Sequence, residues 1–263
     1  MILHCDNSHI PEAEAFIGKD IPLCFYLYMD MLECGAEAED MDLWLAKDEN
    51  GVQAVFYRYH STYHMFSRGG YDEVEVRDFF QTHPAKVVFM TKEDADRLGD
   101  LFTDYTAELS HIITNPIYME GRTDLDIAQA GMEDADAIAE LMMTSDIYNT
   151  VYSSAEELAE QLRERLASGF GRLFVIRKGD RVIATNATSA ETDKLAVVSG
   201  LVTDPNERGQ GLGRAITAHT WNLAKREGKT VLAYLACDND NTVRLHKAMG
   251  YEFLGISARF KKD

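Results

Sequence analysis

Past Asp124 the chain falls into blocks of apolar and polar positions whose period switches between strand-like and helix-like. Leu125-Asp126-Ile127-Ala128 alternates residue by residue and suits a short strand. Over Met132–Met143, Ala, Ile and Leu recur at helical spacing. Glu133, Asp134 and Asp136 fall in the first turn of that helix, where its dipole favours anions. Ser153 or Ser154 can cap a second helix carrying Leu158, Leu162 and Leu166, and Gly169 stops it. Leu173–Ile176, the turn Lys178-Gly179-Asp180 and Val182–Ala184 read as a strand, a turn and a strand. Leu195–Val202 is a third, strongly apolar strand. A helix from Leu212 to Arg226 follows, ended by Gly228, and then a strand over Thr230–Ala236. Asn239–Ala248 is a short helix closed by Gly250, and Tyr251–Leu254 begins a last strand. The order β-α-α-β-β-β-α-β-α-β implies an α/β domain with a mixed sheet, hairpins first and then a crossover through the long helix.

The first half gives a fainter version of the same rhythm. Helical sequence precedes Gly35; Leu43–Ala46, the turn Asp48–Gly51 and Val52–Tyr59 form a hairpin; Thr62–Phe66 adds a strand. A helix at Asp72–Phe80 and a strand at Lys86–Met90 follow. This half reads either as a degenerate repeat of the second or as an unrelated α/β cap. The expected domains are residues 1–118 and 124–263, with residues 101–122 joining the halves.

Charge separates the halves further. The chain has 26 basic and 44 acidic side chains, net −18. Residues 1–120 hold 8 and 23 of these, residues 121–263 hold 18 and 21. A field of that sign opposes nucleic acid and anionic membrane as partners and suits a cationic acceptor or plain solubility. The beginning of the chain has no basic region followed by an apolar core, and Ile21–Leu32 is too short to span a bilayer, so a cytoplasmic location is expected. Cys5, Cys24, Cys34 and Cys237 lack metal-ligand spacing and read as reduced thiols.

One segment carries chemistry. After the strand ending Leu201-Val202-Thr203 come Asp204-Pro205-Asn206-Glu207 and then Arg208-Gly209-Gln210-Gly211-Leu212-Gly213-Arg214, at the mouth of a helix. Glycines let the backbone turn and approach a ligand closely. Successive amides can then face a polyanion with the helix N-terminus behind them, and Arg208 and Arg214 add charge. The construction suits a pyrophosphate. A P-loop would need Gly-Lys-Ser/Thr, and a Rossmann loop spaces its glycines differently.

With these residues the second half resembles the GNAT superfamily of N-acetyltransferases. Its loop, Arg/Gln-x-x-Gly-x-Gly/Ala, is met by Arg208, Gly211 and Gly213, and a second family segment by Asn239 through Gly250-Tyr251. The resemblance covers residues 124–260. It implies acetyl-CoA as co-substrate, no metal, and a sheet splayed between the strands ending near Thr203 and Ala236. Pantetheine would pair with Leu201-Val202-Thr203, and the amides of residues 209–214 would hold the diphosphate. Asn239 matches the family's pantetheine contact, with Asn241 a substitute. A small-molecule or peptide primary amine would attack the thioester directly, with a backbone N–H near Leu201–Thr203 stabilising the oxyanion. His246 stands where the family often has a Tyr that protonates the departing thiolate; an imidazole can do that, or this is a plain helix residue.

No general base stands out among Glu191, Asp193, Asp204 and Tyr234. Cys237 reads as a structural thiol, and His60 and His64 as hairpin residues rather than a metal pair. His219, Trp44, Trp221 and Phe25–Tyr28 read as packing. The expected function is an N-acetyltransferase, the alternative a non-catalytic CoA-binding or interaction module. The first domain would shape the acceptor pocket or make a homodimer contact.

Overall fold

The computed structural model describes every residue except Thr150, Phe170 and Asp263. The chain divides into two compact units that are not consecutive stretches. The first comprises Met1–Ile112, Leu235–Asp240 and Phe253–Asp263, the second Ile113–Tyr234 and Asn241–Glu252.

In the first half the order is β1 (Ile2–Cys5), α1 (Ile10–Ile17), α2 (Phe25–Cys34), β2 (Met41–Asp48), β3 (Gly51–Tyr59), β4 (Thr62–Ser67), α3 (Glu73–Thr82), β5 (Val87–Thr91), α4 (Lys92–Leu98) and β6 (Thr106–Thr114). Local signals account for much of it. The Asp72 carboxylate caps α3 by accepting from the Val74 and Glu75 amides, and Thr91 caps α4 through the Asp94 amide. Strands β1 to β4 form an antiparallel meander, and β4 and β5 pair in parallel through His64↔Phe89. One face packs Trp44, Phe56, Phe79 and Phe80 under α3 and α4, and the other packs Leu43, Leu45, Tyr57 and Phe66 under α1 and α2. The expected hairpin at His60–His64 is present. His64 is buried on β4, stacked on Phe89 and 3.6 Å from Asp30, and burial lowers its pKa to about 4.

The second half continues with β7 (Ile127–Gln129), α5 (Ala135–Met142), α6 (Asp146–Asn149), α7 (Ala155–Ser168), β8 (Leu173–Lys178), β9 (Arg181–Glu191), β10 (Leu195–Thr203), α8 (Leu212–Arg226), β11 (Thr230–Ala236), α9 (Asp240–Ala248) and β12 (Glu252–Lys261). Ser154 is the cap of α7, accepting from the Glu157 amide, and Gly169 ends that helix in the left-handed region. The order β7-β8-β9-β10 is antiparallel throughout, and β10 pairs with β11 in parallel. Helices α5 and α7 cover one face of this sheet over Val175, Ala187 and Val202. Helix α8 covers the other over Phe174, Ile176 and Ala184. The α/β class with a mixed sheet, and the repeat of that plan in the first half, are both present.

Two features differ from the sequence expectation. The stretch 101–122, expected as a connection, contains β6. The last strand, begun at Tyr251–Leu254, runs on as β12 into the first unit and pairs antiparallel with β5, Ala258↔Met90 and Phe260↔Val88. All four cysteines are free, Cys5 and Cys24 buried and Cys34 and Cys237 half-buried. Among the described residues no helix is long and apolar enough to cross a membrane, and no group of three His, Cys, Asp or Glu is placed to hold a metal.

Candidate active site

The glycine loop and the strand before it lie in the second unit, and their geometry follows from three breaks in regular structure. The first is in the sheet. The β10–β11 ladder runs from Leu195↔Thr230 to Val198↔Ala233, whereas β10 continues to Thr203. Beyond Val198 the β11-facing edge of β10 is therefore outside the ladder, and an extended amide chain can pair with it in place of a strand.

The second break is a bulge. The β10–β9 register shifts between Ser199 and Val202, and Gly200 there has φ +69°. Bulges re-aim backbone groups next to functional sites. A β-carbon on Gly200 would lie 3.4 Å from Met142 Cε and 3.7 Å from the Tyr148 hydroxyl oxygen, so the strand passes close under α5 and α6.

The third break is the loop itself. Gly211 caps α8 in the left-handed region at φ +76°, a conformation costing other residues about 1 kcal/mol or more. Gly213 marks a close approach: a β-carbon there would sit 3.4 Å from Thr203 Oγ1, so the start of the helix lies against the end of the strand. The first turn of α8 carries no side-chain cap, and among the described residues no acceptor meets the Leu212, Gly213 and Arg214 amides. Unpaired amides at a helix mouth present the positive end of its dipole. Arg214 is exposed with no ion-pair or hydrogen-bond partner among the described residues, and Arg208 is exposed with its Nε donating to the Thr203 carbonyl at 3.3 Å. Four features suit a diphosphate on an amide-bearing arm: free amides, an uncapped helix, two exposed guanidinium groups and an open strand edge.

Sequence reasoning missed what holds the loop in place. Glu207 lies buried beneath it and accepts from Lys178 Nζ at 2.8 Å, Gln210 Nε2 at 2.9 Å and Arg181 at 3.5 Å. The Lys178 ammonium and the Gln210 amide hold its carboxyl below the usual range. Arg122 Nη1 donates to the Gln210 carbonyl at 2.7 Å, and Asp124 pairs with the same guanidinium. Lys178, Arg181 and Arg122 are far from the loop in sequence, so no local signal marks them.

The other candidates fall out unevenly. His246 is buried on α9, its Nδ1 donating to the Thr242 carbonyl at 2.8 Å and its ring edge-on to Tyr251 at 4.7 Å. Burial lowers its pKa, against the Thr242 bond. Asn239 lies in the first unit, where its amide donates to the Ala236 carbonyl. Cys237 is there too, its amide donating to the Leu109 carbonyl and its thiol pushed up by burial. Glu191 is no base. Burial opposes its charge, but Arg172 at 2.8 Å, Lys229 and Thr188 outweigh that and hold it down to about 2. Asp204 caps the turn before the loop by accepting from the Asn206 amide at 2.9 Å.

In the first unit the matching strand pair also parts after His64↔Phe89. There the gap is bridged, however. Buried Asp94 accepts from Ser67 Oγ at 2.7 Å and Thr91 Oγ1 at 2.9 Å. The Asp72 cap and the carboxylates of Glu73 and Glu75 occupy the mouth of α3. That helix end opposes an anion where α8 invites one.

Residues 137–251 match the Acetyltransferase (GNAT) family. The chain is 34% identical over 88 residues to the mycothiol acetyltransferase of Kocuria rhizophila, a stretch that is 31% of this chain and 29% of that protein. An acetyltransferase of the GNAT family from Colwellia psychrerythraea is similar in fold over the whole of both chains, with TM-score 0.60 and 12% identity. A tandem GNAT protein from the clavulanic acid biosynthesis pathway is similar over 100% of this chain and 98% of its own, with TM-score 0.55 and 13% identity. At these identities the likeness to the two solved structures shows the fold alone. The likeness in sequence to the acetyltransferase (GNAT) family is thus carried by residues 137–251 of the second half.

Proposed function

We propose that the second unit is an N-acetyltransferase, taking its acetyl group from acetyl-CoA and passing it to a primary amine. The observation that carries this reading is the uncapped N-terminus of α8, with the Leu212, Gly213 and Arg214 amides unmet beside the open edge of β10. Amides of residues 209–214 would hold the diphosphate, with Arg208 and Arg214 adding charge. Backbone groups of Leu201, Val202 and Thr203 would pair with the pantetheine arm. When bound, acetyl-CoA supplies a thioester carbonyl that an uncharged amine can attack. The chain's part is to fix that carbonyl against the bulge, exclude water and offer N–H groups to the oxygen as charge grows on it.

His246 is the candidate for the group that protonates the leaving sulfur, the other reading being a plain helix residue. Its Nδ1–H is committed to Thr242 and burial lowers its pKa, which works against the proton that Nε2 would need in order to give one. That supports the second reading, a domain that binds acetyl-CoA without turning it over. Free thiol release across polyamines, amino acids, aminoglycosides and peptide N-termini separates the two.

The cofactor site has its own test. A β-carbon at Gly211 would meet only Arg122 Nη1, at 3.8 Å, so Ala and Glu have the same room at Cβ and share the same backbone cost at φ +76°. Gly211→Ala should bind acetyl-CoA within about tenfold of the parent, the equivalent of ~1.4 kcal/mol. Gly211→Glu, which sets a carboxylate at the helix mouth, should lose binding by more than about 100-fold. Equal affinity in the two variants would place the diphosphate elsewhere.

A further inference from the structure

The hydroxyl of Tyr148 is a polar atom that the reading above does not use. Tyr148 lies on the single turn α6, its amide bonded to the Ser145 carbonyl at 3.0 Å and its own carbonyl accepting from Tyr152 at 2.9 Å. Its ring packs against the cluster of α5 and α7 that contains Met142, Leu141 and Ala187, and stacks on Tyr152 at 6.4 Å. The body of the side chain is thereby fixed on one face of β10. Its oxygen stands 3.7 Å from where a β-carbon of Gly200 would be, over the bulge between Ser199 and Val202. Among the described residues this hydroxyl has no hydrogen-bond partner.

The location is specific. Gly200 is two residues past the last rung that β10 shares with β11, where the open edge begins. A group bound along Leu201–Thr203 with its arm toward α8 presents its far end at the bulge. We propose that the Tyr148 hydroxyl is a catalytic residue, donating a hydrogen bond to the thioester carbonyl oxygen. The proposal rests on the acetyl-CoA reading. In the step it serves, the amine lone pair forms the new C–N bond as the carbonyl π pair moves onto oxygen. That pair returns as the C–S bond breaks, the sulfur leaves with the bonding electrons, and the surplus amine proton goes to solvent. Tyr148 keeps its proton throughout. Burial, offset in part by Arg165, pushes its pKa up to about 12, so the hydroxyl stays a donor across the working range. A tyrosine hydroxyl and a backbone N–H of the bulge together make a two-donor oxyanion site.

The test is spectroscopic and needs no acceptor. Carbonyl-labelled [1-13C]acetyl-CoA is bound to the full chain and its C=O stretch is read by isotope-edited infrared, with affinity measured alongside. The parent should lower the stretch relative to free ligand, and Tyr148→Phe should return part of that shift. Affinity should fall by no more than about tenfold, one neutral hydrogen bond being worth ~0.5–1.5 kcal/mol. With an accepted amine in hand, kcat should fall about 100-fold in Tyr148→Phe, as when one oxyanion donor is removed. The Tyr152→Phe control, whose hydroxyl bonds Gln161 at 3.1 Å, should leave the stretch unmoved. The lost hydroxyl supports nothing else in the fold, so Tyr148→Phe should melt like the parent. An identical stretch in parent and Tyr148→Phe, both binding, overturns this role while the cofactor reading stands. Absence of binding in the parent removes both.

Discussion

Glu191 illustrates how a carboxylate that sequence alone leaves open as a base is committed by its neighbours to structure. It ends β9, where Arg172 reaches both its oxygens at 2.8 and 2.9 Å and Lys229 and Thr188 complete its shell. Arg172 also holds Glu227, so the cluster joins β8 and β9 to the last turn of α8 and the start of β11. The Glu191 side chain is only 11% exposed, so screening by solvent is modest. Its carboxyl falls from an ordinary 4.5 to about 2 in the fold. A depressed native value means stability that is present above 4.5 and lost as pH falls toward 2. At 1.36 kcal/mol per pH unit the linkage amounts to roughly 3 kcal/mol at neutral pH, an upper figure. Glu191→Gln should therefore destabilise the second unit by up to about 3 kcal/mol at pH 7, and by progressively less below pH 4.5. Glu227 still neutralises Arg172 in the variant, so the loss measures the carboxylate rather than an abandoned cation. Urea unfolding of the pair in a Trp44→Phe background, followed by Trp221 emission, reads the difference at each pH. A loss that is equal at pH 7 and pH 3 would refute an electrostatic origin.

Two further outcomes are expected. If His246 is the general acid, turnover must rise as pH falls toward its lowered pKa, because only the protonated ring can give a proton; His246→Phe should erase that limb of the pH–kcat profile and leave acetyl-CoA affinity unchanged. A parent profile with no such limb, or near-normal turnover in the variant, leaves His246 a packing residue against Tyr251. Phe260→Ala should destabilise the first unit, not the second, by ~3–5 kcal/mol, since that ring is buried against Phe102 at 4.8 Å. Faster amide exchange in β5 with unchanged exchange in β9 would bear this out; the reverse pattern would reassign β12.

What could be read from the sequence divides along the range of the interactions. Helices α3, α7 and α8 were legible because their caps and stops are local: Asp72, Ser154 and Gly169, Gly211 and Gly228. Strand β9 was seen only over Val182–Ala184 although it runs to Glu191. Its middle, Thr185-Asn186-Ala187-Thr188, is buried on both faces, so it shows no apolar–polar alternation. The destination of β12 was equally hidden. An apolar strand after Gly250 fits either unit by its own pattern, and only its register with β5 decides between them. The site repeats this division. The glycines and arginines of the loop announce themselves because one short run must supply both backbone freedom and charge. Glu207 and Arg122 shape that loop through Lys178, Arg181 and the Gln210 carbonyl, partners brought near by the hairpin and by the chain before β7. Tyr148 reaches Gly200 across 52 positions of sequence, and nothing in either local pattern asks for the other. A motif marks where a ligand's charge is met. The groups proposed to act on its reacting end are set by tertiary packing, and in this chain that packing puts a tyrosine of a one-turn helix over a glycine in a bulge.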